Sequence, residues 1–227
     1  MRRSSGNEVF DTLLEGGFES DIISIIYGPA GSGKTNVCIH AAIACAKDNK
    51  KVIYIDTEGG FSGDRIQQIK GGKDALDQIF FLRPTTFAKQ KEDFGKLKEM
   101  VDEKVGLIVV DTIAMLYRLE IGKSDKLYDL NRELGRQISY LSEIARTKDI
   151  PVIITNQVYT SFEQNKVTMV GGDLLKYQSK CLIELQRLKS QRAAILRKHR
   201  SIPEDKKIIF EIKEEGITHQ KNPHMYE

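Results

Sequence analysis

The segment from Gly28 to Thr35 constrains the fold of this chain more than any other. It reads Gly-Pro-Ala-Gly-Ser-Gly-Lys-Thr and matches the G-x-x-x-x-G-K-[ST] pattern at every fixed position. An apolar, β-branched run, Ile22 to Tyr27, precedes it, and an Ala-rich stretch, Asn36 to Lys47, follows it without a helix breaker. A strand, a glycine-rich turn and a helix in this order form the first half of a βαβ unit. The chain is therefore expected to fold around a parallel sheet.

The same segment predicts a nucleoside triphosphate site. Its glycines allow successive backbone N–H groups to point at phosphate oxygens. Lys34 is expected to reach the β- and γ-phosphates, and the Thr35 hydroxyl is expected to bind Mg²⁺. The alternative is a chance glycine-rich turn, but the strand and the helix both stand where the motif needs them. The predicted nucleotide-binding residues of the loop are Gly28, Pro29, Ala30, Gly31, Ser32, Gly33, Lys34, Thr35 and Asn36.

Short β-branched runs alternate with longer helical patterns over the first two thirds of the chain. Strands that are apolar almost throughout are typical of a parallel sheet covered on both faces. The predicted fold class is therefore α/β, doubly wound, with a mainly parallel central sheet and helices on both faces. The further predicted strands are Val52 to Asp56, Ile79 to Leu82, Leu107 to Asp111 and Pro151 to Asn156, and the further helices are one from about Gly63, Ala88 to Lys104 and Asp125 to Lys148.

The pattern changes after Gln157. Val158 to Asp173 is polar and has no period, so we expect a loop there. Three strands separated by short turns follow, Cys181 to Leu188, Ala193 to Lys198 and Ile208 to Lys213, without a helix long enough for a crossover. This favours a C-terminal antiparallel extension of the sheet. With no repeat and no linker-like segment, residues 1–227 are expected to form one domain.

Composition excludes several classes of protein. No stretch approaches the about 18 apolar residues of a membrane span, and the N-terminus has no signal-peptide pattern, so a cytoplasmic protein is expected. The three cysteines form no C-x-x-C pair, and the four histidines lack ligand spacing. Buried thiols are therefore expected rather than a disulfide or a zinc site.

Positive charge is concentrated near the C-terminus. The net charge is only +3, yet no acidic residue occurs from Leu185 to Pro203. A solvated basic face and a surface that contacts phosphate backbones both fit such a run. The basic residues of the run are Arg187, Lys189, Arg192, Arg197, Lys198 and Arg200.

Three polar residues that end strands complete the candidate site. Asp111 ends the run Leu107 to Asp111 and is the expected second Mg²⁺ ligand, opposite Thr35. Glu58 follows the second strand and could orient a water molecule towards the γ-phosphate; capping the helix near Gly63 is its alternative role, for which Ser62 or Asp64 is better placed. The Gln157 amide could donate to a γ-phosphate, or simply end a strand.

Together these segments resemble the ATPase core of the RecA/RadA recombinase family, and most of all its archaeal RadB branch. The resemblance runs from about Ser5 to Ile217. It is carried by Gly6, Phe10 to Phe18, the loop Gly28 to Thr35, Tyr54-Ile55-Asp56-Thr57-Glu58-Gly59-Gly60-Phe61, Val109 to Ile113 and Ile153 to Val158.

The resemblance implies a RecA-like ATPase fold that binds ATP with Mg²⁺. In that family Glu58 would activate water, Gln157 would sense the γ-phosphate, and Arg65 would pack on the adenine. The expected catalytic residues are Glu58, Lys34 and Gln157. Two DNA-facing loops would correspond to Leu119 to Lys126 and Tyr159 to Gly171. Arg197-Lys198-His199-Arg200 resembles a basic segment of that branch. Together with the basic run, it gives Arg192, Arg197, Lys198 and Arg200 as the expected DNA-binding residues.

The chain departs from the filament-forming recombinases in two ways. It begins almost at the core, where they carry a DNA-binding domain and a linker with an aromatic anchor, and Tyr159 to Gly171 has little positive charge. The resemblance therefore implies a weak Mg²⁺-dependent ATPase that binds DNA and assists recombination and repair. Its expected partners are a RadA-type recombinase or a Holliday-junction nuclease, and it could form a homodimer.

Other functions remain open at this point. A stand-alone ATPase or autokinase related to clock proteins shares the opening motif, although such proteins carry paired glutamates where this chain has Thr57-Glu58. A nucleotide kinase would need an arginine-rich lid. An inert nucleotide-binding module is the third alternative.

Overall fold

The computed structural model describes residues 1–121, 127–161, 166–169 and 171–219. The helices are α1 (Glu8–Leu13), α2 (Lys34–Lys47), α3 (Gly63–Gln68), α4 (Gly72–Ala75), α5 (Phe87–Met100), α6 (Met115–Ile121), α7 (Leu127–Lys148) and α8 (Gly172–Gln178). The strands are β1 (Arg2–Arg3), β2 (Phe18–Glu19), β3 (Ile23–Gly28), β4 (Lys51–Asp56), β5 (Ile79–Leu82), β6 (Val105–Asp111), β7 (Val152–Ser161), β8 (Lys166–Met169), β9 (Cys181–Arg187), β10 (Arg192–His199), β11 (Lys207–Lys213) and β12 (Gly216–His219).

A central sheet organises the molecule. Over the described residues its strand order is β12-β11-β10-β9-β3-β7-β6-β4-β5, with β8 paired to β7 alone. The pairs from β9 to β5 along this order are parallel, whereas β10, β11 and β12 continue the sheet antiparallel. The predicted α/β class and its antiparallel C-terminal extension are confirmed.

The sheet separates two apolar cores. Ile26, Tyr54 and Val109 face the core that contains α1, α2 and the C-terminal strands. Their strand neighbours Ile25 and Ile55 face the opposite core, which contains α5, α6 and α7. Successive side chains in a strand point to opposite faces, so strands buried on both sides must be apolar at nearly every position.

The N-terminal segment is fastened to the last strand. The Asn7 side chain caps α1 by accepting from Val9 N, and its amide also donates to Ile217 O at 2.7 Å. His40 of α2 joins the same corner, since its Nε2 accepts from Ile217 N at 3.1 Å. Phe10 and Phe210 pack edge to face with ring centroids 5.6 Å apart. Segments far apart in sequence therefore close one end of the first core.

Two predicted boundaries were wrong. The helix predicted over Ala88 to Lys104 ends at Met100, because Val101 turns into the core and Asp102 Oδ1 accepts from Lys104 N to make the turn into β6. The loop predicted over Val158 to Asp173 contains the end of β7, the strand β8 and the start of α8. Here β7 and β8 pair as a hairpin, and backbone pairing does not need an apolar period. Residues 162–165 and 170 lie outside the described residues.

Other expectations fit the structure. Cys38, Cys45 and Cys181 are free and buried, as predicted. Ser62 caps α3, with its Oγ accepting from Arg65 N, so Glu58 does not have that role. Among the helices described, none is long and apolar enough to cross a membrane.

Candidate nucleotide-binding site

The phosphate loop connects the end of β3 to the start of α2. Gly33 has a left-handed φ of 104°, and α2 begins at the next residue. A Cβ at Gly28 would lie 2.3 Å from Leu185 O on β9, so any larger residue would push the neighbouring strand away. The loop thus keeps its shape only because glycine stands where the chain turns and where strands meet.

Lys34 points into this loop. Its ammonium donates to Gly28 O at 2.9 Å and to Pro29 O at 3.0 Å, and the residue is only 7% exposed. Burial lowers the pKa of Lys34, while the nearby Glu58 and Asp111 raise it. A buried ammonium that is held by carbonyl oxygens is well suited to meet an anion at the loop.

Three hydroxyl groups hold the Asp111 carboxylate. Its Oδ2 accepts from Thr35 at 2.8 Å and from Tyr54 at 2.9 Å, and its Oδ1 accepts from Thr155. Burial raises the pKa of Tyr54 well above its usual range, so the phenol keeps its proton and acts as the donor. Asp111 itself is 3% exposed. Hydroxyl donors from α2, β4 and β7 therefore fix its position beside Thr35.

Glu58 and Gln157 lie together at the same end of the sheet. Glu58 Oε1 accepts from the Gln157 amide at 2.8 Å and from the Thr112 hydroxyl at 2.9 Å. Glu58 is exposed, in contrast to Asp111. The arrangement leaves its other carboxylate oxygen able to accept a hydrogen bond from water.

Asp56 has a structural role next to Glu58. Its two carboxylate oxygens accept from Gly60 N at 3.1 Å and from Phe61 N at 3.2 Å. These bonds shape the turn after β4 and bring Gly60 beside Thr35, where a Cβ on the glycine would lie 3.6 Å from the threonine Oγ1.

A cavity of about 330 Å³ joins these groups. Its lining residues are Ala30, Gly31, Gly33, Lys34, Thr35, Asn36, Glu58, Asp111, Gln157, Arg192 and Ile212. A larger cavity of about 860 Å³ lies elsewhere, beside Asn7, His40 and Lys47, and none of the predicted site residues lines it. The smaller cavity has the charges and donors that nucleotide chemistry needs, so we assign the site there.

The residues present fit a nucleotide with Mg²⁺. The Ser32 hydroxyl is buried in the loop and has no hydrogen-bond partner among the described residues, which leaves it able to bond a phosphate. Thr35 and Asp111 offer one hydroxyl and one carboxylate, a small oxygen set of the kind that Mg²⁺ uses when phosphates complete its shell. Within the described residues no cluster of three or more His, Cys, Asp or Glu could hold a metal by itself.

Arg65 borders the site without lining the cavity. Its Nε donates to Asn36 Oδ1 at 2.7 Å, and its two terminal nitrogens donate to Glu214 O and Lys213 O at 2.7 and 2.8 Å. These bonds tie α3 to α2 and to the turn between β11 and β12. Adenine packing by Arg65 stays a prediction.

The four residues predicted to bind DNA are not together. Arg192 opens β10 at the phosphate loop, where its Nε donates to Gly31 O at 3.2 Å. Arg200 follows β10 at the other end and pairs with Glu19 and Asp21, which precede β3. Between them Arg197 pairs with Glu184 and Asp205, and Lys198 donates to Lys176 O and Ser179 O. The continuous basic run in the sequence is thus divided along a whole strand.

The sequence of this chain is similar to known proteins over nearly its whole length. The sequence profile of the Rad51 family matches residues 1–220. A protein of Methanobrevibacter smithii named "DNA repair and recombination protein RadB" is 41% identical over 221 residues, which cover 93% of each chain. The chain belongs to the RadB branch of the Rad51 family. The family resemblance seen in the sequence is therefore confirmed.

Further RadB proteins extend this finding. One from Methanococcoides burtonii is 41% identical over 210 residues, covering 91% of this chain and 93% of the relative. A solved structure titled "Crystal structure of the RadB recombinase" superposes with a TM-score of 0.80 at 38% identity, covering 94% of this chain and 97% of that chain. The Rad51-like fold thus holds over nearly the whole length.

Sequence reasoning missed several residues that shape the site. Tyr54 and Thr155 hold Asp111, and Thr112 holds Glu58. The signal for Thr155 was a hydroxyl residue late in an otherwise apolar strand that neighbours β6. Tyr54 carried no comparable signal, because an aromatic residue in a buried strand ordinarily packs.

Proposed function

We propose that this member of the RadB branch binds ATP with Mg²⁺ at the phosphate loop, hydrolyses it slowly, and uses the bound nucleotide to control contact with DNA in recombination and repair. The observation that carries the proposal is the convergence of Lys34, Thr35, Asp111, Glu58 and Gln157 on one cavity. The relatives' names, "DNA repair and recombination protein RadB", support the cellular role.

Each residue has a distinct task in this proposal. Lys34 and the loop amides bind the phosphates, and Thr35 with Asp111 holds Mg²⁺. Bound Mg²⁺ neutralises phosphate charge. Glu58 orients the attacking water through its free carboxylate oxygen. Gln157 shares Glu58 Oε1 with Thr112 and senses the γ-phosphate, because a donor bonded to Glu58 can exchange that bond for one to the phosphate.

Gln157 offers a route from nucleotide to DNA. It lies in β7, which continues into the hairpin with β8. A change of partner at Gln157 therefore acts on the backbone that enters the segment Tyr159 to Gly171. The other segment expected to face DNA, Leu119 to Lys126, lies partly outside the described residues, at 122–126.

We also propose that Arg197, Lys198 and Arg200 contact DNA. The groups that these side chains already bind within the protein affect how strongly they can bind DNA. Arg197 and Arg200 each pair with two carboxylates, so DNA phosphates must compete with those partners. Lys198 meets backbone carbonyls instead, which leaves its charge less compensated. Moderate, strongly salt-dependent binding is the expected result.

A salt titration tests the DNA proposal. The affinity for a single-stranded oligonucleotide should fall with a linear dependence on log salt, and the double variant Arg197→Ala/Arg200→Ala should flatten the slope by about 0.7 for each DNA phosphate that it no longer neutralises. Lys91→Ala/Lys96→Ala on α5 is the matched control, since it removes two ion-paired cations elsewhere. Salt-independent binding, or equal slopes for both double variants, would contradict the proposal.

The role of an accessory protein is tested with its partners. We propose a RadA-type recombinase or a junction-processing nuclease as the partner and a homodimer as a possible assembly. Pull-down with purified recombinase or nuclease should depend on ATP.

Incubation with γ-labelled ATP should release labelled phosphate slowly, and label retained on the protein would instead support an autokinase.

A further inference from the structure

Two arginines face each other across the β9–β10 hairpin. Arg187 and Arg192 are direct cross-strand partners, and Leu188 N bonds Gln191 O at 2.9 Å to close the turn between them. Directly opposed residues in an antiparallel pair lie on the same face, and like charges in these positions repel. The pair is therefore unfavourable unless something negative lies near it.

Both side chains lie against one residue of the phosphate loop. Arg192 Nε donates to Gly31 O at 3.2 Å, and a Cβ built on Gly31 would be 3.6 Å from a terminal nitrogen of Arg187. Arg192 also lines the cavity that holds Lys34, Glu58 and Gln157. The hairpin thus brings two guanidinium groups to the outer side of the loop.

Neither guanidinium has a carboxylate within 4.0 Å among the described residues, whereas Arg197 on the same strand β10 has two. Carboxylates therefore pair with some arginines of the basic run and not with others. Arg197 and Arg200, on and just after β10, are paired with carboxylates. Arg187 and Arg192 are not, in the part of the chain that the structure describes, and Lys34, with Glu58 and Asp111 near it, adds a third cation at the phosphate loop. Such a concentration of donors suits the oxygens of a polyphosphate.

We propose that Arg187 and Arg192 bind the terminal phosphate of ATP from the same chain and so distinguish ATP from ADP. The proposal rests on the nucleotide site assigned above, and it moves Arg192 from the DNA-binding set to that site. Because both residues belong to the β9–β10 hairpin, loss of the terminal phosphate releases a contact at one end of the strand whose other end carries Arg197 and Lys198.

Equilibrium binding of fluorescent ATP and ADP analogues with Mg²⁺ tests the pair. Arg192→Ala should raise the Kd for the ATP analogue about tenfold, as removal of a charge-assisted hydrogen bond predicts, and leave the Kd for the ADP analogue within about twofold. Arg187→Ala should act in the same direction. Arg192→Lys keeps the charge but not the fork, and it should recover part of the ATP preference.

Arg136→Ala is the control, because that side chain is 64% exposed and lies on α7. Equal loss of ATP and ADP binding, or no change in either, would contradict the proposal that the two arginines distinguish ATP from ADP. The assignment of the nucleotide site would still stand. Wild-type protein that binds neither analogue would overturn the nucleotide site itself. A melting temperature measured for each variant separates loss of folding from loss of binding. If an alanine variant does not fold, the lysine variant at the same position, Arg187→Lys or Arg192→Lys, replaces it.

Discussion

Asp111 and Glu58 show how two carboxylates at one edge of a sheet acquire different roles. Asp111 is buried and held by three hydroxyl donors, so its position is fixed. Glu58 is exposed and bonded through one oxygen, which leaves the other for water. Burial and hydrogen bonding, rather than residue type, are the reasons for which we propose Asp111 as the metal ligand and Glu58 as the group that orients water.

Glu58→Gln tests this difference at the level of one residue. The amide keeps the shape and a carbonyl acceptor for Gln157, but it cannot take a proton, so ATP turnover should fall about 100-fold or more while nucleotide affinity changes little. Single-turnover hydrolysis and equilibrium binding measure the two quantities. Turnover that is unchanged by the substitution would favour an inert binding module.

The sequence predicted the residues at strand ends better than the residues that hold them. The loop Gly28 to Thr35 and Glu58 follow the ends of β3 and β4, Asp111 ends β6, and Gln157 stands where β7 leaves its parallel partner β3. Parallel strands bring such positions together. Thr112 and Tyr54 contact these residues across neighbouring strands, which depends on strand order and register. The position of Arg192 at the phosphate loop likewise required knowledge that β9 pairs with β3.

At the level of elements, apolar strands were predicted to within a few residues. A strand buried on both faces has a composition that few other structures share. The hairpin of β7 and β8 was missed because its sequence has no apolar period, and backbone pairing does not need one. The end of α5 was placed too late, since charged residues such as Asp102 and Lys104 suit a helix surface as well as a turn.

The contact between α2 and β12 predicts a pH effect on stability. Burial lowers the pKa of His40 to about 4, and its neutral Nε2 accepts from Ile217 N. Because the ordinary histidine pKa is about 6.5, the unfolded chain binds a proton that the folded chain does not. Stability from this group is therefore present above pH 6.5 and declines as the pH falls to about 4, by roughly 3 kcal/mol in all.

Urea unfolding of wild type and His40→Gln across this range measures the effect. Glutamine retains an acceptor for Ile217 N but does not titrate, so the difference in unfolding free energy between the two proteins should change over the window. Parallel pH profiles for the two proteins would show that His40 does not carry the dependence. Carboxylates elsewhere titrate in both proteins and cancel in the comparison.

At the level of the whole molecule, the nucleotide site draws on many strands. Residues from β6, β7, β10 and β11, from the loops after β3 and β4, and from the start of α2 meet at one cavity. A ligand there binds only the folded chain and should stabilise it by about 2.7 kcal/mol at a free concentration of 100 times its Kd. For a chain of this size that corresponds to a rise in Tm of roughly 5–10 °C.

Thermal unfolding with ATP, with and without a chelator, measures this coupling. Removing Mg²⁺ should reduce the rise in Tm, because Thr35 and Asp111 then lose the ion that joins them to the phosphates. Lys34→Ala should abolish most of it. A rise in Tm that persists undiminished in Lys34→Ala would place the ligand outside the phosphate loop.

The fastening of α1 to the last strands has a consequence for synthesis. Asn7 and its partner Ile217 are 210 residues apart, so a ribosome needs roughly 10–40 s to deliver the second after the first. During that interval the nascent chain lacks Phe210 to cover Phe10. Translation that stalls before β11 emerges should therefore leave the apolar face of α1, formed by Val9, Phe10 and Leu13, for chaperones to shield. The first core can close only once nearly the whole chain has been made.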